Sequence, residues 1–258
     1  MNIFIAPFIN ALFGFYYLFG NLGWSVVVVT VLIRVLLLPL VLPSLKSANR
    51  MKDLQPKLNK LKEKYGKDKE GMAKAQMDLY KQEGINPLSG CLPQILQIAV
   101  LLIFFSAFKM VTSFSAGKGS VEQVNSHLIQ QFQINDDFKF NIDFFGSSLI
   151  KSPSDLFKDG LGVNLVLPII LLVGSGLLQF LSARMMMPAA ETDKLVVEKT
   201  KDKEDDMMSA MRTQSTYMMP LMTVFIGWGF SLGILLYWFV NSGVMLLQQM
   251  ISNRLKKA

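Results

Sequence analysis

Arg34 is the charged side chain whose position needs a chemical explanation. It is the only charged residue in the stretch 22–42, whose twenty-one residues are nearly all apolar. A helix of that length is about 31 Å long and can span a bilayer core. Placing an arginine within such a span raises the free energy of membrane insertion by at least about 2.5 kcal/mol. The sequence therefore predicts that Arg34 faces protein or water rather than lipid, with Thr30 one turn earlier on the same helix face.

Polar or amphipathic side chains at helical spacing in the other apolar stretches are candidates to join Arg34. They are, in chain order, Gln97, Ser175, Gln179, Trp238 and Asn241. If these helix faces converge, they form a hydrated cavity that contains a positive charge. The alternative is that the Gln and Ser side chains make ordinary hydrogen bonds between helices. That alternative does not explain Arg34, because contacts between helices do not require a charge.

No aspartate or glutamate occurs in any of the predicted spans. Proton-coupled and cation-coupled carriers usually rely on an intramembrane carboxylate, and a buried arginine usually has a counterion. The sequence therefore disfavours a coupled carrier. It predicts that water, backbone carbonyls and neutral side chains surround Arg34.

Sequence motifs of enzymes are missing from the chain. It contains no GxSxG elbow, no HExxH pair and no phosphate-binding loop. His127 is the only histidine and Cys91 the only cysteine. We therefore expect a solvated His127, no disulfide within the chain, no metal site, no cofactor and no enzymatic activity.

Composition is typical of an all-α polytopic membrane protein. Of the 258 residues, 51% are hydrophobic and 17% are charged, which is less than the usual quarter. The net charge of +7 suits an anionic membrane surface or a nucleic acid, and the apolar stretches favour the membrane. Hydropathy predicts five transmembrane helices, at residues 22–42, 92–110, 163–183, 217–230 and 233–251.

The segments between the predicted spans differ in character. Residues 1–20 lack charged side chains and carry apolar residues at helical spacing, so we expect an amphipathic helix that lies in the membrane interface rather than one that spans. Residues 43–90 hold eleven basic and six acidic residues and predict a helical hairpin outside the bilayer, with a charged linker as the alternative. Residues 111–162 form a polar loop, 184–216 a charged loop and 252–258 a short tail. The predicted apolar face of the first helix consists of Phe4, Phe8, Leu12, Phe15 and Phe19.

The distribution of basic residues predicts the orientation. The hairpin, the charged loop and the tail together hold twenty lysines and arginines, whereas the segment 109–158 on the other side holds five. Short basic loops stay in the cytosol. We therefore expect a multi-pass protein of a prokaryotic cytoplasmic membrane, with its N-terminus outside and its C-terminus inside.

Several motifs of the chain resemble those of the YidC/Oxa/Alb membrane protein insertases. The resemblance covers nearly the whole chain and rests on the combination of motifs. The motifs are NLGWS with Thr30 and Ile33-Arg34, Pro39-Leu40, LQPKLNKLKEKYG, LYKQEGINPLSGCLP with Gln97, the LP pair and Gln179 of the third span, MMP at Pro220, and LYWFVNS followed by Gln248-Gln249. The chain resembles short bacterial members without a large external domain, and its loop 111–162 is longer than is usual in the family.

The resemblance implies a core of five spans with a cytosolic hairpin after the first. It implies a protein that inserts membrane proteins into the bilayer, alone or beside the Sec translocon, with transient ribosome contact and no direct recognition of nucleic acid. It places Arg34 in a hydrated groove, lined here by Thr30, Gln97, Gln179 and Trp238. Two other functions remain open, namely a small-solute channel or carrier, and a scaffold that helps membrane proteins assemble without translocating them.

Overall fold

The structure is a computed structural model that describes residues 2–66, 68–84, 92–160, 162–186 and 213–257. Cys91, the predicted end of the hairpin at 85–90 and most of the predicted charged loop, residues 187–212, lie outside the described residues. The described chain is almost entirely helical and contains one two-stranded sheet. The predicted all-α polytopic membrane fold is confirmed.

Ten α-helices occur in the part of the chain that the structure describes. They are α1 (Asn2–Phe19), α2 (Leu22–Asp53), α3 (Gln55–Tyr65), α4 (Lys69–Gln82), α5 (Leu92–Ser115), α6 (Val121–Asn125), α7 (Pro153–Lys158), α8 (Val166–Met186), α9 (Met219–Gly227) and α10 (Leu232–Lys257). A π-helical segment, Gln214–Met218, leads into α9. Strands β1 (Asp143–Phe144) and β2 (Ser147–Ser148) pair antiparallel between α6 and α7.

Four helical stretches are long and apolar enough to cross a membrane, and two shorter apolar helices accompany them in the described residues. The long stretches are Leu22–Met51, Ile95–Ser115, Val163–Met185 and Leu232–Arg254, and the short ones are Ile5–Phe19 and Thr216–Gly227. These helices expose large apolar side chains such as Leu36 and Phe225, which is the surface expected of helices that face lipid. The predicted fourth span, 217–230, coincides with a short helix, so a total of five spans remains a prediction.

Several helix boundaries differ from those of the predicted spans, among them boundaries of α2, α9 and α10. Helix α2 continues through Pro39 and Pro43 to Asp53, although proline usually ends or kinks a helix. Leu45, which follows both prolines, is buried, and such packing supports the longer helix. Helix α10 likewise runs through the predicted tail to Lys257. Helix α9 ends at Gly227, where the backbone N–H groups of Gly229 and Phe230 donate to carbonyls of the last turn.

The first of two compact units comprises Met1–Leu37, Ile95–Leu178 and Met222–Val244. Its core is rich in aromatic rings, and the Phe104 ring stacks on Phe108 and Tyr237 at centroid distances of 5.5 and 4.4 Å. Helix α1 packs into this core through one face, which consists of Ile5, Phe8, Ile9, Leu12, Phe13 and Tyr16. Of the predicted apolar face, Phe8 and Leu12 lie in this core and Phe15 packs against it, whereas Phe19 is exposed.

The predicted polar loop contains a folded element, residues 120–160, which we call the cap. The cap includes α6, the β1–β2 hairpin and α7. Its Asn141 carbonyl accepts a hydrogen bond from the Leu22 backbone N–H at 3.0 Å, and its Lys151 carbonyl accepts one from the Leu232 N–H at 2.9 Å. These bonds attach the cap to the first residues of α2 and α10. At the start of α7, hydrogen bonds from the Ser152 side chain and backbone hold the pKa of Asp155 below its usual value.

The second compact unit comprises Leu38–Gln94, Gln179–Leu221 and Met245–Ala258. In this unit α3 and α4 form a helical hairpin with a small core of Leu54, Leu58 and Tyr80. Lys57 and Glu83 form an ion pair across the hairpin. The Ser182 hydroxyl donates to the Gln249 side-chain carbonyl at 2.8 Å, and both side chains are buried.

Candidate functional site

Arg34 is held inside the first unit by side chains from two other helices. Only 7% of its surface is exposed. Its Nε–H donates to the Oδ1 atom of Asn241 on α10, and its Nη2 group donates to the Oε1 atom of Gln97 on α5. Both acceptors are neutral amides, so these two bonds satisfy N–H groups without cancelling the positive charge. The guanidinium is thus fixed in place as a buried cation.

Tyr237 is a member of this cluster that the sequence analysis did not single out. The Nε2 group of Gln97 donates to the Tyr237 hydroxyl at 3.3 Å, which leaves the Oε1 atom of the same amide directed at Arg34. The Tyr237 ring is buried and stacked on Phe104. Its position four residues before Asn241 puts both side chains on one face of α10, and that spacing was the available signal.

Thr30 and Ser175 use their hydroxyls within their own helices. The Thr30 hydroxyl donates to the Val26 carbonyl at 2.6 Å, and the Ser175 hydroxyl donates to the Leu171 carbonyl at 2.6 Å. Both side chains are buried. Such bonds to the preceding turn satisfy a hydroxyl in an apolar environment without a second helix.

Trp238 and Gln179 complete the set of predicted groove residues. Trp238 is half-buried in the first unit, where its ring lies 5.9 Å from the Phe230 ring. Gln179 is half-buried and belongs to the second unit. Of the seven predicted residues, the structure therefore joins Arg34, Gln97 and Asn241 by direct hydrogen bonds. A groove lined by all seven remains a proposal.

The Arg34 cluster consists of one cation, two amides and a phenol. The cluster can attract an anion and can donate or accept hydrogen bonds, but its members do not form a nucleophile–base pair of the kind that acyl transfer uses. Among the described residues, no group of three or more His, Cys, Asp or Glu side chains is placed to hold a metal ion. The Nδ1 atom of His127 lies 3.0 Å from the Ser126 hydroxyl and 3.1 Å from the Gln123 carbonyl.

The family of the chain follows from a match that covers nearly its whole length. The model of the family described as 60Kd inner membrane protein matches residues 14–258. The chain belongs to this family. The predicted resemblance to the YidC/Oxa/Alb insertases is thereby confirmed.

Curated relatives in the family carry the name membrane protein insertase YidC. The one from Pelobacter propionicus is 31% identical over 255 residues, which cover 98% of this chain and 39% of the relative. The one from Legionella pneumophila is 34% identical over 236 residues, or 91% of this chain and 32% of the relative. A shorter match to the Dinoroseobacter shibae protein is 51% identical over 94 residues, or 36% of this chain and 15% of the relative. The chain thus spans well under half the length of these relatives.

Replacing Tyr237 with phenylalanine tests whether the Tyr237 hydroxyl orients the Gln97 amide toward Arg34. We expect Tyr237→Phe to lower the free energy of unfolding by about 1 kcal/mol, because Gln97 loses a buried acceptor. Unfolding in mixed micelles by titration with dodecyl sulfate measures the change. In the control Tyr217→Phe, the same atom is removed from a side chain that is 61% exposed, and we expect a change below about 0.5 kcal/mol. Equal effects of the two substitutions would contradict an orienting role for Tyr237.

Proposed function

We propose that the chain is a membrane protein insertase that moves short polar segments of client proteins through a hydrated, positively charged groove. The observation that carries the proposal is a buried Arg34, held by neutral amides of two other helices, in a chain of the YidC/Oxa/Alb family. A structural arginine in lipid would be expensive. A cation that receives part of a client explains why the position is charged.

The groove would act by solvation and attraction rather than by covalent chemistry. Water in the groove would let a polar client segment enter half of the bilayer without full desolvation. Arg34 would attract acidic side chains of that segment, and the attraction is stronger where the surroundings have a low dielectric constant. The client's hydrophobic helix would then move into lipid, and burial of roughly twenty apolar residues would supply the driving force. Neither a nucleotide nor a cofactor is required by this mechanism.

Reconstitution distinguishes this function from its two rivals, a small-solute channel or carrier and a non-translocating scaffold. Purified protein in liposomes is supplied with a short single-span client, and the protected fragment that remains after external protease treatment is measured. A parallel sample is loaded with a small fluorescent solute. Client protection without solute release is expected. Solute release without client protection would favour a channel, and neither result would favour a scaffold.

The proposed partners are newly made membrane proteins and the lipid bilayer, with the Sec translocon and the ribosome as further candidates. The family and its apolar helices make the chain a multi-pass inner membrane protein. Adding purified translocon to the same liposomes tests the Sec partnership. A larger yield for clients with long polar segments, without a change for short ones, would support an auxiliary translocon.

Labelling of introduced cysteines tests the proposed orientation, with the N-terminus outside and the C-terminus inside. Because Cys91 is the only cysteine, Cys91→Ser gives a background without thiols. We expect Glu122→Cys to react with a membrane-impermeant maleimide in intact cells, and Lys74→Cys to react only after permeabilisation. The reason is the excess of basic residues on the hairpin side. Reaction of both cysteines from one side would overturn the five-span arrangement, and a reversed pattern would overturn the charge argument.

A further inference from the structure

The tip of the cap exposes an aromatic side chain in a strained backbone conformation. Phe145 and Gly146 form the two-residue turn between β1 and β2, and both have positive φ, 49° and 76°. Turns of this kind favour Asn, Asp or Gly, because a side chain in the left-handed region is crowded. Yet Phe145 occupies the position with 70% of its surface exposed. An unfavourable conformation that exposes an aromatic ring suggests that the ring has a role outside the fold.

The β1–β2 hairpin of the cap is held rigidly against the first turn of α2. The Asn21 side-chain amide donates to the Asp143 carbonyl at 2.7 Å. The Phe144 ring packs on the backbone of Gly23 so closely that a Cβ atom there would lie 2.2 Å from the ring. The Phe145 ring therefore projects from a fixed base at the end of a predicted membrane span, and it is not the end of a loose loop.

Further exposed aromatic rings lie at the ends of apolar helices beside the cap. Trp24, in the first turn of α2, is 47% exposed, and its ring lies 6.3 Å from the Phe145 ring. Trp228 directly follows α9, and its ring lies 5.9 Å from the exposed Phe157 ring of α7. The Ser154 N–H donates to the Trp228 carbonyl at 3.2 Å, so this pair too is attached to the cap. Both tryptophans mark the level at which apolar helices of the first unit begin or end.

The composition around these rings suits the interface between lipid headgroups and acyl chains. Tryptophan and other aromatic residues concentrate at that level in membrane proteins. The segment 144–150, FFGSSLI, carries no charge. Val163 and Val166, at the start of the third long apolar stretch, are exposed as well.

We propose that the cap is anchored in the membrane interface. Four aromatic side chains at the end of the first unit where the cap lies are inserted among the lipids, namely Phe145, Trp24, Phe157 and Trp228. The occupant of this aromatic surface is the lipid bilayer, because Trp24 lies at the start of a helix apolar enough to cross a membrane and Trp228 directly follows a short apolar helix. The anchored cap covers the beginning of α2 and the turn before α10, the two helices that supply Arg34 and Asn241. This proposal depends on the membrane fold and not on the proposed insertase function.

Depth-dependent fluorescence quenching tests the anchor. The full chain with Cys91→Ser and Phe145→Cys is labelled with an environment-sensitive nitrobenzoxadiazole dye and reconstituted in vesicles of phosphatidylcholine and phosphatidylglycerol. The vesicles carry nitroxide either at the headgroup or near the top of the acyl chain, and iodide serves as the aqueous quencher. The matched control is Glu122→Cys, an exposed cap residue on α6. The dye at residue 145 should emit at shorter wavelength, be quenched more by lipid nitroxide and be quenched less by iodide than the dye at residue 122.

Two results would overturn the anchor. Iodide quenching at residue 145 equal to that at residue 122 would place the tip in water. Protection from both iodide and lipid nitroxide would mean that protein, either a partner or a second copy of the chain, covers the surface. If the Phe145→Cys protein does not reconstitute, Phe157→Cys decides by the same criteria, since Phe157 is exposed on a different element of the cap.

Discussion

Arg34→Ala is expected to reduce insertion of a client with an acidic translocated segment by about tenfold, which corresponds to about 1.4 kcal/mol. The same client with Asn in place of Asp should lose much less. Insertion is measured as the fraction of client that is protected from protease in liposomes of matched protein content. The comparison of the two clients isolates the charge, because their segments have nearly the same size and polarity.

The expected size follows from the environment of the guanidinium. Charges about 4 Å apart attract by about 4 kcal/mol at an effective dielectric constant of about 20. Part of that attraction is offset because the client carboxylate gives up hydration. The bonds from Arg34 to the neutral amides of Asn241 and Gln97 leave its formal charge in place, and that charge is what attracts a carboxylate.

Two further substitutions separate charge from shape. Arg34→Lys keeps the charge on a flexible chain but cannot reproduce a planar fork that reaches two amides. We expect it to retain substantial insertion of the acidic client. Arg34→Glu should be worse than Arg34→Ala for that client, because like charges meet in a poorly screened site. Equal impairment of the Asp and Asn clients by Arg34→Ala would contradict charge attraction and would favour a role for Arg34 in hydrating the groove.

The sequence predicts the helical architecture well because hydropathy is a local property. Four of the five predicted spans coincide with helices long enough to cross a membrane. Arg34, Gln97 and Asn241 were identified one helix at a time, as polar residues in apolar stretches. Which of them touch depends on the rotation and register of helices that are distant in the chain. Those relations are set by packing, so the sequence did not show that Tyr237 orients Gln97 or that Thr30 bonds to its own helix.

The cap shows a signal that was present in the sequence but not used. From Phe138 to Phe144 every second side chain is buried or half-buried, and the side chains between them are exposed. That alternation is typical of an extended segment with one packed face. The Phe140 ring lies 5.1 Å from the Phe13 ring of α1. For α1 the sequence alone does not fix which face is buried, because nearly every α1 residue is apolar and packing against α5 and the cap selects the face.

Gly233→Ala is expected to lower the free energy of unfolding by about 3 kcal/mol, at the upper end of the usual cost of overpacking a core. An added Cβ atom would lie 1.9 Å from the Cζ atom of Phe108. The Phe108 ring cannot swing away, because it is buried and stacked on Phe104 at 5.5 Å. Dodecyl sulfate titration in mixed micelles measures the loss.

A glycine on the same helix provides the control, and a second substitution provides the rescue. At Gly243 the nearest atom to an added Cβ is the Leu178 Cδ1 at 3.8 Å, an ordinary contact. Gly243→Ala should therefore stabilise α10 by up to about 1 kcal/mol through helix propensity.

Combining Gly233→Ala with Phe108→Leu should recover part of the loss, because a smaller and more flexible side chain makes room for the methyl group. The effects of Gly233→Ala and Phe108→Leu on the free energy of unfolding are then non-additive, as expected of residues in contact. Additive losses would show that Phe108 is not the obstacle. A stable Gly233→Ala protein would show that the start of α10 can move away from α5. Because Phe104 also stacks on Tyr237, such a movement would reach Gln97 and the Arg34 cluster.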